Sequence, residues 1–176
     1  IKQITHRHPR MRLFEVGAGT GGSTRFILPQ LGDAFSSYTF TDLSAGFFER
    51  ANDRFITYSD RMVYSTYNME NSPSDQGYEE GTYDVVLASN ALHATGKIEE
   101  TIANARSLLL PGGYMVLLEI MGNDFLGIGA SMGGLPGWWA GAEVDSTRCD
   151  GPCFTVSQWV ALVKRHGFSG VETHTP

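Results

Sequence analysis

The sequence predicts an α/β fold built on a doubly wound, mostly parallel sheet. Three observations predict it. Short apolar runs rich in β-branched and aromatic residues alternate with helix-length amphipathic segments, the pattern of successive strand–helix–strand units. Residues 85–88 are apolar throughout, as expected of a central strand buried on both faces. A turn of small residues, Gly17-Ala18-Gly19-Thr20-Gly21-Gly22, joins the first run to the first helix.

Taken in order, residues 12–16 (RLFEV) make the first strand, and residues 22–31 a helix ended by Gly32. Residues 38–42 (YTFTD) form the second strand, and Ser44 caps a helix over 45–55. The third strand covers 62–67, and the polar stretch 68–82 is a connection. The fourth strand covers 83–89, followed by the clearest helix at 97–110, stopped by Pro111-Gly112-Gly113. Residues 114–120 are the fifth strand. An irregular insert over about 121–154, rich in Gly, Trp and Pro, has no helical or strand period, and a loop that long is usually functional or mobile. A helix over 156–166 and a strand over 170–173 close the chain.

Composition narrows the function. A chain of 176 residues reads as one domain spanning 1–176, and 41% hydrophobic with 18% charged residues excludes a disordered tail. A net charge of −6 argues against nucleic acid as a partner. The absence of a long apolar run argues against a membrane, and the first residues have no signal-peptide pattern. Cys149 and Cys153 form a single C-x3-C without a second pair, so no metal site is expected. Two cysteines in an acidic domain fit a reducing compartment, hence a cytoplasmic location.

The chemistry gathers at strand ends. Gly17, Gly19 and Gly22 match G-x-G-x-x-G, and Asp42 at the end of the second strand is an acid suited to ribose hydroxyls. That pattern serves a nicotinamide dinucleotide or another adenosine cofactor. Glu15 tilts the choice, since a carboxylate there would repel a pyrophosphate but welcome a ligand ammonium. No basic residue follows Asp42 until Arg50, which argues against a 2′-phosphate. S-adenosylmethionine carries an ammonium, a sulfonium and no phosphate.

Beyond the fourth strand lies Ser89-Asn90-Ala91-Leu92-His93-Ala94-Thr95, which puts His93 at the rim of the crevice. Glu119 follows four apolar residues at the end of the fifth strand, where an unpaired acid would be costly. If the two strands are neighbours, Glu119 can hold the His93 ring in one tautomer and make it a general base; the plain alternative is a solvated His and a capping Glu. Trp138 and Trp139 are either core cover or the wall of a substrate pocket. Asn68, ending the third strand, either reaches an adenine edge or forms a turn.

The segments LFEVGAGTGGSTRFILPQL, YTFTDLSAGFFERA, YDVVLASNALHAT, LLLPGGYMVLLEI and LPGWWAG resemble the C-methyltransferase domain of fungal highly reducing polyketide synthases, including their nonribosomal peptide synthetase hybrids. The match runs over about residues 10–173. The resemblance implies a Rossmann-like class I methyltransferase core that uses S-adenosylmethionine. It implies methylation of the α-carbon of a β-ketoacyl thioester, carried by an acyl carrier protein on a phosphopantetheine arm among neighbouring domains of a megasynthase. It makes Gly17, Gly19 and Gly21 the cofactor turn, Asp42 the ribose acid, and His93 with Glu119 a dyad promoting enolate formation. Asn90 is expected at the same cofactor. Asn68 departs from the family, which more often has an acid there. The family's covering segment before the first strand and its last strand are expected to be missing from this chain. O- or N-methylation of a small molecule, and a non-catalytic scaffold, are the competing readings.

Overall fold

The structure is a computed structural model that describes residues 1–174 apart from 123–125, 136, 146, 147 and 149. The chain runs α1 (Lys2–Arg7), β1 (Met11–Val16), α2 (Thr24–Leu31), β2 (Phe35–Asp42), α3 (Phe48–Arg54), β3 (Met62–Thr66), β4 (Tyr83–Ser89), α4 (Ile98–Leu108), β5 (Leu109–Leu118), α5 (Leu126–Met132), α6 (Ala140–Val144) and α7 (Val156–Arg165). Short 3-10 turns at Ala45–Phe47 and Leu92–Ala94 precede α3 and α4. The five strands lie in the order β3-β2-β1-β4-β5, and every pair is parallel.

Strand periodicity divides the core in two. Phe14, Val16, Val86 and Ala88 face one side, packed with Ile102 and Leu108 of α4 and with Trp159 and Leu162 of α7. Leu13, Val85 and Leu87 face the other, packed with Leu28 and Leu31 of α2 and with Ala51 of α3. Helices therefore cover both faces, and the central strands are buried on both, as their apolar runs demand. Thr155 begins α7 with a capping box: its hydroxyl accepts from the Gln158 N–H while the Gln158 side chain accepts from the Thr155 N–H.

Three differences from the sequence expectation have physical reasons. The expected helix over 97–110 ends at Leu108, because Leu109 pairs with Tyr83 in the sheet; the ladder then slips, so that Val85 meets Tyr114 and Pro111-Gly112-Gly113 bulges out. The insert holds two short helices, α5 and α6, where no periodicity had suggested any. Residues 170–173 form no strand: a strand exists only as part of a ladder, and they pair with no other strand among the described residues. The helix α1 was not anticipated; Ile1 and Ile4 pack onto the α2 side of the core. Cys149 lies outside the described residues, and Cys153 is buried. Among the described residues no helix is long and apolar enough to cross a membrane.

Candidate active site

The strand order reverses between β1 and β4, and ligands of such sheets sit at the carboxyl ends of strands at this point. Val16 pairs with Ala88, so the turns that leave β1 and β4 emerge side by side. Gly17, Gly19 and Gly21 all have positive φ, at 63°, 55° and 74°. At Gly17 a second constraint applies: a Cβ would lie 2.7 Å from the Cβ of Ala91 on the neighbouring turn. A Cβ at Gly19 would meet nothing within 4 Å, so here the backbone faces open space.

Asp42 ties this turn down. One carboxylate oxygen accepts from the Gly19 N–H at 2.9 Å, the other from the Ser44 N–H at 3.0 Å. Each oxygen keeps acceptor capacity for a further donor such as a ribose hydroxyl. The Gly19 bond thus sets the acid and the turn as one unit.

Glu15 has a different place from the one its sequence position suggested. Strand parity puts it on the Leu13 face, under α2, where it is 1% exposed. Its Oε2 accepts from the Thr24 hydroxyl at 2.6 Å and the Tyr38 hydroxyl at 2.7 Å. Burial pushes its carboxyl pKa up, against the pull of those two hydrogen bonds. Through these bonds Glu15 clamps the start of α2 to the β1 end. Asn68 is engaged in an Asx turn, its Oδ1 accepting from the Glu70 N–H at 3.0 Å. Asn90 has φ 49°, a left-handed conformation uncommon outside glycine, and its N–H donates to Leu118 O at 2.7 Å.

The structure brings His93 and Glu119 together. Their strands, β4 and β5, are neighbours, and Nδ1 of His93 lies 2.5 Å from Oε2 of Glu119. The Glu119 side chain is fully buried, and its Oε1 accepts from the N–H groups of Leu92 and Ala91 at 2.9 and 3.2 Å. One carboxylate therefore holds both the ring and the 3-10 turn that carries it. Nε2 of His93 has no hydrogen bond among the described residues. Trp138 meets the His93 ring edge to face at 6.1 Å, whereas Trp139 is 42% exposed and donates its indole N–H to Gly133 O at 3.0 Å. The two tryptophans thus part company: only the first reaches the dyad. Among the described residues no group of His, Cys, Asp and Glu comes together that could hold a metal ion.

Sequence reasoning missed Arg148. It is a buried cation whose guanidinium donates to the carbonyls of His93, Thr95 and Pro152. An Arg in an aperiodic stretch carries no signal of its own, because its acceptors are backbone atoms and two of the three, on His93 and Thr95, lie 55 and 53 residues away.

A switch-point crevice with a glycine turn, an acid ending β2 and this sheet order define a class I methyltransferase fold. The solved structures agree: the trans-methyltransferase CalH, crystallised as a complex with SAH, superposes with a TM-score of 0.89 at 38% identity, covering 96% of this chain and 48% of that one. The CMeT domain of the citrinin polyketide synthase gives 0.81 at 30% identity, covering 93% and 41%. Residues 14–115 match the family described as methyltransferase domain, and the chain belongs to that family. It is 82% identical over 176 residues to the hybrid PKS-NRPS synthetase tasS of Hapsidospora irregularis, and 55% identical over the same length to phm1 of Pyrenochaetopsis sp. The whole chain takes part in both matches but spans only 4% of each of those proteins.

Proposed function

We propose that this methyltransferase domain methylates the α-carbon of a β-ketoacyl thioester, presented on the phosphopantetheine arm of an acyl carrier protein among the other domains of a megasynthase. The observation that carries the reading is the 2.5 Å pairing of His93 Nδ1 with Glu119, at strand ends beside the glycine turn. The likeness to carbon methyltransferase structures supports it.

S-adenosylmethionine suits the residues present, and when bound it supplies an electrophilic methyl group on a sulfonium. The open ground beside Gly19, and the acceptor capacity of Asp42, fit an adenosyl group with free ribose hydroxyls. Gly17, Gly19, Gly21, Asp42, Asn68 and Asn90 would hold it, and Glu15 supports the turn from behind.

His93 is the base. With Nδ1–H donated to Glu119, the ring's lone pair lies on Nε2. A C–H between two carbonyls is acidic enough for a positioned imidazole. Nε2 takes that proton, and the C–H electron pair passes into the enolate, leaving the carbon nucleophilic. The Glu119 carboxylate offsets the charge of the imidazolium so formed. Trp138 packs on the His93 ring and walls the site from water, which strengthens the electrostatics inside.

His93→Ala in the full-length protein tests the reading, assayed with a β-ketoacyl pantetheine thioester and labelled S-adenosylmethionine. The expected result is lost transfer with cofactor binding intact. Label appearing on oxygen or nitrogen in the wild type would favour the O- or N-methyltransferase reading instead.

A further inference from the structure

The 3-10 turn that carries His93 is gripped at both ends. At its N–H end, Glu119 accepts from Ala91 and Leu92. At its carbonyl end stands Arg148. Its Nη2 donates to His93 O at 2.5 Å and to Pro152 O at 3.1 Å, and its Nη1 donates to Thr95 O at 2.8 Å. We infer that Arg148 is a positioning residue for the reaction, setting the angle at which the His93 ring meets the substrate. The inference rests on the dyad reading above.

Several features support it. Carbonyls at the end of a helical turn have no partner within that turn and carry partial negative charge, so a cation is the right group there. The anion at one end and the cation at the other match the dipole of the turn between them. Arg148 is 4% exposed, and its guanidinium stacks over the Phe154 ring at 4.8 Å, which fixes the plane of the fork. A planar fork addresses three carbonyls at once; a Lys ammonium, a compact charge on a flexible stem, does not reproduce that arrangement.

Gly141 gives the same answer from the opposite side. A Cβ built on this residue of α6 would collide with the Arg148 guanidinium. The helix therefore presents glycine where the fork passes, although alanine is the better helix former. Glu119 and Arg148 form no ion pair with each other among the described residues; each binds the turn. Loss of Arg148 leaves the dyad hydrogen bond its partners but frees the far end of the turn, and the ring tilts with it.

The test uses the full-length protein as wild type, Arg148→Lys, Gly141→Ala and His93→Ala. Three readouts are taken: S-adenosylmethionine affinity by calorimetry, kcat and KM for methyl transfer to a β-ketoacyl pantetheine thioester, and catalysed deuterium exchange at the α-carbon without cofactor. Arg148→Lys and Gly141→Ala are each expected to lower kcat and exchange on the order of 10–100-fold, the scale of a small misplacement of a reacting group. Cofactor affinity and thioester KM should stay within about twofold of wild type. Wild-type exchange in Arg148→Lys overturns the inference, as does a loss shared by cofactor affinity and KM, or failure of both variants to fold, since each marks a purely structural residue. Exchange that survives in His93→Ala removes the dyad reading itself. Exchange lost in His93→Ala but kept in Arg148→Lys removes only the role of Arg148.

Discussion

Glu119 holds His93 twice: Oε2 meets the ring Nδ1 at 2.5 Å, and Oε1 accepts the backbone N–H of Leu92, one residue before it, at 2.9 Å. The ring and its peptide support thus share one anchor. Orientation and tautomer are set by the same side chain, and substitutions can separate the two.

Glu119→Gln separates them. Its amide oxygen still accepts from the turn, while its NH2 donates to Nδ1 and drives the ring proton onto Nε2, the wrong nitrogen for a base. The fold should survive, and kcat for methyl transfer should fall by roughly 10²–10⁴-fold. Glu119→Ala should add a stability loss of about 1–3 kcal/mol, because it strands the buried N–H donors. Steady-state kinetics and urea denaturation of both variants check this.

Gly17→Ala should damage the proposed cofactor site and the fold together. Its φ of 63° is strained for alanine, and the new Cβ would sit 2.7 Å from Ala91 Cβ. A destabilisation of about 1–3 kcal/mol is expected from the backbone alone, with more if the β4 turn is pushed aside. Denaturant titration reads the first effect, and calorimetric S-adenosylmethionine binding the second.

Glu15 should give stability a pH dependence of unusual sign. Burial raises its folded pKa above the unfolded value near 4.5, against the hydrogen bonds from Thr24 and Tyr38. A raised folded pKa means the favourable contribution is complete below the unfolded value and is lost as pH rises through the folded one. Glu15→Gln, which stays neutral, should therefore gain on the wild type as pH climbs from about 4.5 upward. Chemical denaturation at a series of pH values measures the difference; a gap that does not change with pH refutes the assignment.

Glu99 should behave in the opposite way. Burial alone would raise its carboxyl pKa, but hydrogen bonds from His166 and Arg165, with their charges, lower it overall. The His166 Nε2 contact is 2.5 Å and ties α7 to α4. A depressed folded pKa gives stability that is present above the unfolded value and lost as pH falls through the folded one. Glu99→Gln should lower the melting temperature at neutral pH, with the two curves converging in acid. Because the pair is half-exposed, the gap should also shrink in salt.

The fold was largely legible because it rests on local patterns. The buried run 85–88 became β4 at the expected bounds, and the glycine turn lay where a strand meets a helix. The pairing of His93 with Glu119 was legible for a related reason: two polar residues sat at the ends of apolar runs, and right-handed parallel connections bring such ends together. Trp138 and Trp139 were not separable, since adjacent residues share one sequence context and differ only in what they face.

The sequence by itself determined the strands, the glycine turn and the residues that could do chemistry there, because hydrophobic period and backbone freedom are local properties. Only the tertiary structure decided what those residues touch. It set Glu15 against the Thr24 hydroxyl of α2, gave one carboxylate to both the His93 ring and its turn, and brought Arg148 onto carbonyls 55 and 53 residues away. Backbone carbonyls are the same at every position, so no sequence marks which of them a buried cation will find.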